Sequence, residues 1–202
     1  AKRDGYIIGM VPPQSYLDLQ SSKFSRRVNL TEPDRPWHNE FHYFGANVYA
    51  YVLAKYGDYI DFVSIQFYES YSRAAMSLRH FDMTPEAYLE FYVEDLVQMG
   101  QSYLVNFDDD PVVKLSSQRV SLPLKKLVFG FANGWALDTG DKAVLFKPEK
   151  IQIAYQNLVR AGQAPRGFMF WVLGEEGTNG VHYTRALNSI LQIRSSNASQ
   201  RD

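Results

Sequence analysis

The chain has 202 residues, 46% of them hydrophobic and 15% aromatic, with a formal net charge of −1. That apolar share is enough for a packed core, and the near-neutral balance lacks the basic field that nucleic acid or an anionic membrane surface attracts. With no cysteine in the sequence, a disulfide framework and thiolate zinc sites are excluded, and no apolar run reaches the roughly 18 residues of a membrane span.

The first apolar run, Tyr6-Ile7-Ile8-Gly9-Met10, predicts a strand almost at the start of the chain. So little lead-in carries the expectation that a segment upstream has been removed. A long loop from Pro12 to Trp37 follows, then a helix between about Phe41 and Tyr56. The second strand runs from Asp61 to Tyr68. Its side chains alternate between faces: Val63, Ile65 and Phe67 on one, Ser64, Gln66 and Tyr68 on the other. A buried parallel strand is normally apolar on both faces, and buried polar groups cost free energy unless partnered. The polar face therefore meets either a ligand or its own hydrogen-bond network.

Thr84-Pro85 opens the next helix, with threonine at the N-cap and proline at the first helical position. Leu89, Tyr92, Val93, Leu96 and Val97 give its apolar stripe. The third strand, Lys126 to Ala132, puts Gly130 and Ala132 on one face and Phe129 and Phe131 on the other. The small residues leave room either for a cavity or for a bulky neighbour. A loop from Asn133 to Lys147 leads to a helix from Pro148 to Ala161, stopped by Gly162. The fourth strand, Gly167 to Leu173, carries Trp171 on the face of Met169, where an indole serves as core or as a floor for a sugar ring. A helix over Val181 to Ile193 closes the pattern, and Ser195 to Asp202 form a polar tail.

Strands alternating with helices imply parallel pairing with crossovers, an α/β fold. Long loops after strands are commonly functional. Several other groups have plainer readings. Asp108-Asp109-Asp110 lacks the spacing of a calcium loop and suits a turn before Pro111. His38 and His42 lack the His-Glu-x-x-His order of a zinc protease. Glu175-Glu176 suits helix N-terminal charge better than acid–base work, and Arg26-Arg27 and Lys125-Lys126 suit solvated loop charge. Asn29-Leu30-Thr31 and Asn197-Ala198-Ser199 are glycosylation sequons and point to a secreted protein.

Four segments resemble the C-terminal half of family 18 glycoside hydrolases, the chitinases. Asp61-Phe62-Val63-Ser64-Ile65-Gln66-Phe67-Tyr68 is similar to that family's sixth strand, where a buried Asp opens a strand ending in Gln-x-Tyr-Asn. Tyr6 to Tyr16, with Met10 before Val11-Pro12-Pro13, is similar to the fifth strand and its Met-Ala-Pro-Glu turn. Leu127 to Asn133 falls where the seventh strand belongs. Arg166-Gly167-Phe168-Met169-Phe170-Trp171 resembles the eighth, with its Gly-x-Met-x-Trp pattern. Glu69 stands where Asn or Asp is common, and Val11 and Pro13 replace the usual Ala and Glu.

The resemblance implies a (β/α)8 TIM barrel of which this chain supplies about four βα units, with residues 1–194 as the C-terminal half and 195–202 as the tail. The chain is short for a whole barrel of about 250 residues. The resemblance implies chitin or chito-oligosaccharides as ligand and no cofactor or metal. It makes Tyr68 the group that positions the substrate acetamido oxygen, with Met10, Gln66, Glu69 and Trp171 binding substrate. The family's acidic signature, Asp-x-x-Asp-x-Asp-x-Glu, is not in this chain. Asp58-Tyr59-Ile60-Asp61 opens like it, but no acid follows through Tyr68. The catalytic Glu is expected on the N-terminal half of the same barrel, as a nicked or separate chain. The activity implied is endo-acting, substrate-assisted, retaining chitin hydrolysis. The alternatives are a chitinase-like carbohydrate-binding protein without hydrolase activity, and a half-barrel that pairs with itself.

Overall fold

Alternation along the second predicted strand sets the architecture. In the computed structural model, which describes residues 2–26 and 47–198, the elements in chain order are β1 (Gly9–Met10), α1 (Ala50–Tyr56), β2 (Phe62–Gln66), α2 (Arg73–His80), α3 (Pro85–Gln98), β3 (Ser102–Val105), β4 (Gln118–Ser121), β5 (Leu127–Ala132), α4 (Pro148–Arg160), β6 (Gly167–Trp171) and α5 (Tyr183–Ala198). Four strands form one sheet in the order β1-β2-β5-β6. Every neighbouring pair is parallel, with Met10 opposite Val63, Gln66 opposite Gly130 and Ala132 opposite Trp171. The chain is thus α/β, as expected. Among the described residues the sheet is open, and β1 and β6 are its edges.

One face of this sheet is the core. Val63, Ile65, Phe67, Phe129 and Phe131 are buried in one cluster with Tyr88, Leu89 and Tyr92 of α3, Ala154, Tyr155 and Leu158 of α4, and Tyr183 and Leu187 of α5. Phe67 is its hub, with ring centroids of Tyr92 at 5.0 Å, Phe129 at 5.3 Å and Tyr88 at 6.1 Å. The other face differs: Phe62, Met169 and Trp171 lie outside this cluster. The sheet order steps in one direction without reversing. Right-handed crossovers then place successive helices on the same side, whereas a doubly wound sheet needs a reversal of order. The one-sided core follows from that order.

The caps read from the sequence are in place. Thr84 accepts from the Ala87 amide at 3.3 Å and Gly162 takes a positive φ of 71° after α4. Glu176 accepts from the Thr184 amide at 2.8 Å, at the start of α5, which is the helix N-terminal role expected of it. The loop after β1 is pinned by buried polar side chains. Gln14 donates to the Tyr88 hydroxyl and accepts from the Ala74 amide at 3.0 Å, and Asp18 pairs with Arg73 at 2.6 Å.

Several expectations need correction. The β2-to-β5 connection is not a single helix: it also holds α2 and an antiparallel hairpin of β3 and β4. Tyr103, Val105 and Val120 of the hairpin are buried, so its inner face extends the core. The first predicted strand shrinks to Gly9–Met10, leaving Tyr6 and Ile7 66% and 75% exposed. The fourth ends at Trp171, because the chain turns into a 3-10 segment at Leu173–Glu175. Helix α5 continues through Ala198 into the expected tail, since extending a formed helix fixes one residue per hydrogen bond. The predicted first helix is described only as Ala50–Tyr56. Of its earlier part, residues 47–49 form a turn and residues 41–46, with His42, lie outside the described residues, as do Arg27, Asn29 and His38 of the preceding loop.

Candidate functional site at the strand ends

The C-terminal ends of the four parallel strands bring together most of the residues singled out from the sequence. Gln66 ends β2 and donates from Nε2 to the Val11 carbonyl at 2.9 Å. Its Oε1 accepts from the Tyr68 hydroxyl at 2.8 Å. Tyr68 is almost fully buried and its phenol is pushed up to about 12, first by burial and then by the charge of Glu69. It is a neutral hydrogen-bond donor at any physiological pH. Met10 ends β1 opposite Val63 and packs against the core margin on that face, so it is not brought to the Gln66–Tyr68 pair as expected. Trp171 ends β6 with 57% of its surface exposed. It is therefore not a core tryptophan, and its indole is free to meet a ligand.

The polar face is partly a network and partly open. Gln66 and Tyr68 are mutually satisfied, but the buried Ser64 hydroxyl has no hydrogen-bond partner among the described residues. Gly130 resolves the alternatives for the small residues. A Cβ there would lie 2.7 Å from the Ile65 carbonyl oxygen and 3.0 Å from Met169 Cε, so a bulky neighbour fills the space.

Glu69 adjoins Tyr68, but its carboxylate is engaged by Tyr71. It accepts a hydrogen bond from Tyr71, and its buried Oε2 has no partner among the described residues. Burial raises its pKa, and the bond from Tyr71 opposes that rise. A carboxyl raised on folding binds its proton more tightly in the folded state. Its contribution to stability is full below the unfolded value and is lost as pH rises toward the folded one. Glu69→Gln, which cannot ionise, is expected to melt at a higher temperature than wild type at neutral pH. Melting curves across pH should show that gap closing near about pH 4; a gap independent of pH would contradict the burial of this carboxyl.

Sequence reasoning missed Trp135, on the loop after β5. Its ring meets Tyr68 edge-on, with centroids 6.1 Å apart and planes at 83°. Its Nε1 donates to the Trp171 carbonyl at 2.6 Å. The loop is seated by Asn133, whose Nδ2 donates to the Val172 carbonyl at 2.9 Å and whose Oδ1 accepts from the Val172 amide at 3.3 Å. Gly134 is held against the β6–α5 connection, where a Cβ would stand 1.7 Å from the Thr178 carbonyl oxygen. Gly134→Ala forces that backbone contact apart and is expected to destabilise by about 1–3 kcal/mol, as other overpacked sites do. Urea denaturation checks it, and a change under about 0.5 kcal/mol, typical of surface positions, would contradict the close approach.

Other candidates settle into structural roles. Asp110 caps the Val112 and Val113 amides and pairs with Arg26 at 2.8 Å, and Asp108 accepts from the Ser117 amide at 3.1 Å, which makes that run a turn. Glu175 accepts from the Thr178 hydroxyl at 2.9 Å. Asp61, which the family pattern would bury, stays partly exposed. It accepts from Lys2 and, at 2.9 Å, from the Ile8 amide, and the bond from Lys2 leads in holding its pKa down. Lys126 donates to the Gly57 carbonyl at 2.8 Å, in a cleft of about 370 Å3 near the opposite ends of the strands. Among the described residues no cluster of three or more acidic, histidine or cysteine side chains could hold a metal ion, and no helix is long and apolar enough to cross a membrane.

The sequence matches no family model and no curated protein. The side chains at the strand ends are what characterise this face: a buried phenol held by a glutamine, an exposed indole, and a second indole touching the phenol and the first indole's backbone.

Proposed function

We propose that this chain is the C-terminal half of a family 18-type (β/α)8 barrel, and that the ends of β1, β2, β5 and β6 bind β-1,4-linked N-acetylglucosamine oligomers. The observation that carries the reading is the juxtaposition of Tyr68, with its hydroxyl fixed by Gln66, and the exposed indole of Trp171 on one end of one parallel sheet. A pyranose ring presents apolar C–H faces that an indole can underlie, and the Tyr68 hydroxyl, which keeps its one proton, can turn from Gln66 Oε1 to donate it to an acetamido oxygen. Active sites of such barrels lie at this end of the strands. The one-directional strand order, the one-sided core and the two open edges also support a barrel segment. Unpaired edges invite pairing with further strands, and the N-terminal half of the same barrel is the partner proposed for them.

In the hydrolase form of this reading, the completed barrel cleaves chitin with retention. The acid comes from the N-terminal half, the substrate's own acetamido group attacks, and Tyr68 holds that group in line. A carbohydrate-binding protein without hydrolysis is the second reading. It is favoured by Glu69, the carboxylate beside Tyr68, being turned into a contact with Tyr71. Incubation of the native protein with the N-acetylglucosamine tetramer separates the two. New reducing ends support the hydrolase, binding without cleavage supports the second form, and neither binding nor cleavage contradicts both. Native mass above 23.2 kDa, with the added mass carrying the acidic signature, is expected for the completed barrel.

A further inference from the structure

Trp135 belongs to no motif that the resemblance supplied, yet it joins three strand ends. Starting at β1, the Val11 carbonyl accepts from Gln66, Gln66 accepts from Tyr68, the Tyr68 ring abuts Trp135, and Trp135 donates to the Trp171 carbonyl. The relay crosses the sheet through the side chains of Gln66, Tyr68 and Trp135, and ends on backbone carbonyls after β1 and at the end of β6. Trp135 is the member of this relay that meets both the Tyr68 ring and the backbone carbonyl of Trp171. Its own position is fixed from below by the reciprocal Asn133–Val172 pair, and from the side by Asn179, which donates to the Gly134 carbonyl at 2.8 Å and to Asp138 at 3.1 Å.

We infer that Trp135 is a positioning residue: it sets the spacing between the Tyr68 hydroxyl and the Trp171 indole, so that one sugar unit can meet both. The inference rests on the sugar-binding reading for its consequence, but its geometry stands without it. An edge-on ring contact and one hydrogen bond act on the same indole, and the hydrogen bond can be removed while a ring is kept. Trp135→Phe keeps a ring against Tyr68 and removes the donor to Trp171, whereas Trp135→Ala removes both.

The test uses the full protein labelled with 5-fluorotryptophan. Its three tryptophans give three fluorine resonances, assigned by single substitutions. Without sugar, Trp135→Phe is expected to move the Trp171 resonance with little change in melting temperature. An unmoved Trp171 resonance overturns the inference, whether or not the protein binds sugar. With the N-acetylglucosamine tetramer, Trp135→Phe is expected to weaken binding about fivefold and Trp135→Ala further. In a Trp171→Ala background, Trp135→Phe should change affinity less than about twofold, because its effect passes through Trp171. Fully additive losses overturn the positioning role. If Trp135→Ala does not fold, Trp135→Phe alone still decides. A wild-type protein that binds no sugar while Trp135→Phe moves the Trp171 resonance overturns the sugar reading and supports the brace.

Discussion

Phe67→Ala is expected to lower the unfolding free energy by about 3–5 kcal/mol, the range for removing a fully buried phenylalanine. The side chain has no exposed surface, and its ring is ringed by five others: Tyr88, Tyr92, Phe129, Phe131 and Phe146. Three of these come from the sheet and its following loop and two from α3, so truncation leaves a cavity between layers that cannot close by a local shift. Part of the loss is the transfer of the ring and part is the unfilled volume. Phe67→Leu should cost much less, since most of the volume remains. Urea denaturation followed by far-UV circular dichroism measures both. A loss below about 1 kcal/mol for the alanine variant would place Phe67 on the open face and invert the assignment of the two faces.

That assignment was legible in the sequence because period two leaves no freedom: if Phe67 faces the helices, so do Ile65 and Val63, and Gln66 and Tyr68 reach the other side or the strand end. Thr84, Gly162 and Glu176 were legible for a similar reason, each being a local rule about a helix terminus. The hairpin of β3 and β4 was not read. Ser102-Tyr103-Leu104-Val105 and Gln118-Arg119-Val120-Ser121 are four residues each and a dozen apart, without the tight-turn residues that mark a short hairpin. The alternation of buried Tyr103 and Val105 with exposed Leu104 was the available signal. Helix α2 also had one, Ser72 ahead of Arg73-Ala74-Ala75, where the serine hydroxyl accepts from the Ala75 amide at 3.0 Å.

At the strand ends, Gln66, Tyr68 and Trp171 could be proposed from strand alternation and family resemblance, because each sits at a fixed register position. Trp135 could not. Its role depends on a loop of 3-10 turns that folds back over the end of β5, and on the meeting of β2, β5 and β6, none of which leaves a periodic trace. Glu69 shows the opposite case. Its sequence position next to Tyr68 suggested a ligand contact, but the chain turns after β2 and carries the carboxylate toward Tyr71 and Tyr16.

Trp171→Ala is the substitution with the largest expected effect on binding. The indole is 57% exposed at a strand end, so its loss should leave stability nearly unchanged while removing the apolar floor of the site. By analogy with bases stacked on aromatic side chains, the loss of affinity for an N-acetylglucosamine oligomer should be about 1–3 kcal/mol. That corresponds to a complex weaker by about 5-fold to about 150-fold. Trp171→Phe should recover part of it, since a smaller ring covers less of the sugar. Equal affinity in wild type and the alanine variant would remove Trp171 from the site.

The central claim is that this end of the sheet recognises N-acetylated β-1,4-linked sugars, and calorimetric titration of the wild-type protein tests it most directly. The N-acetylglucosamine tetramer should bind saturably, and the glucose tetramer, which lacks the acetamido oxygen that Tyr68 would hold, should bind far more weakly. Absence of saturation by the N-acetylated tetramer at millimolar concentration, or equal binding of the two sugars, would contradict it.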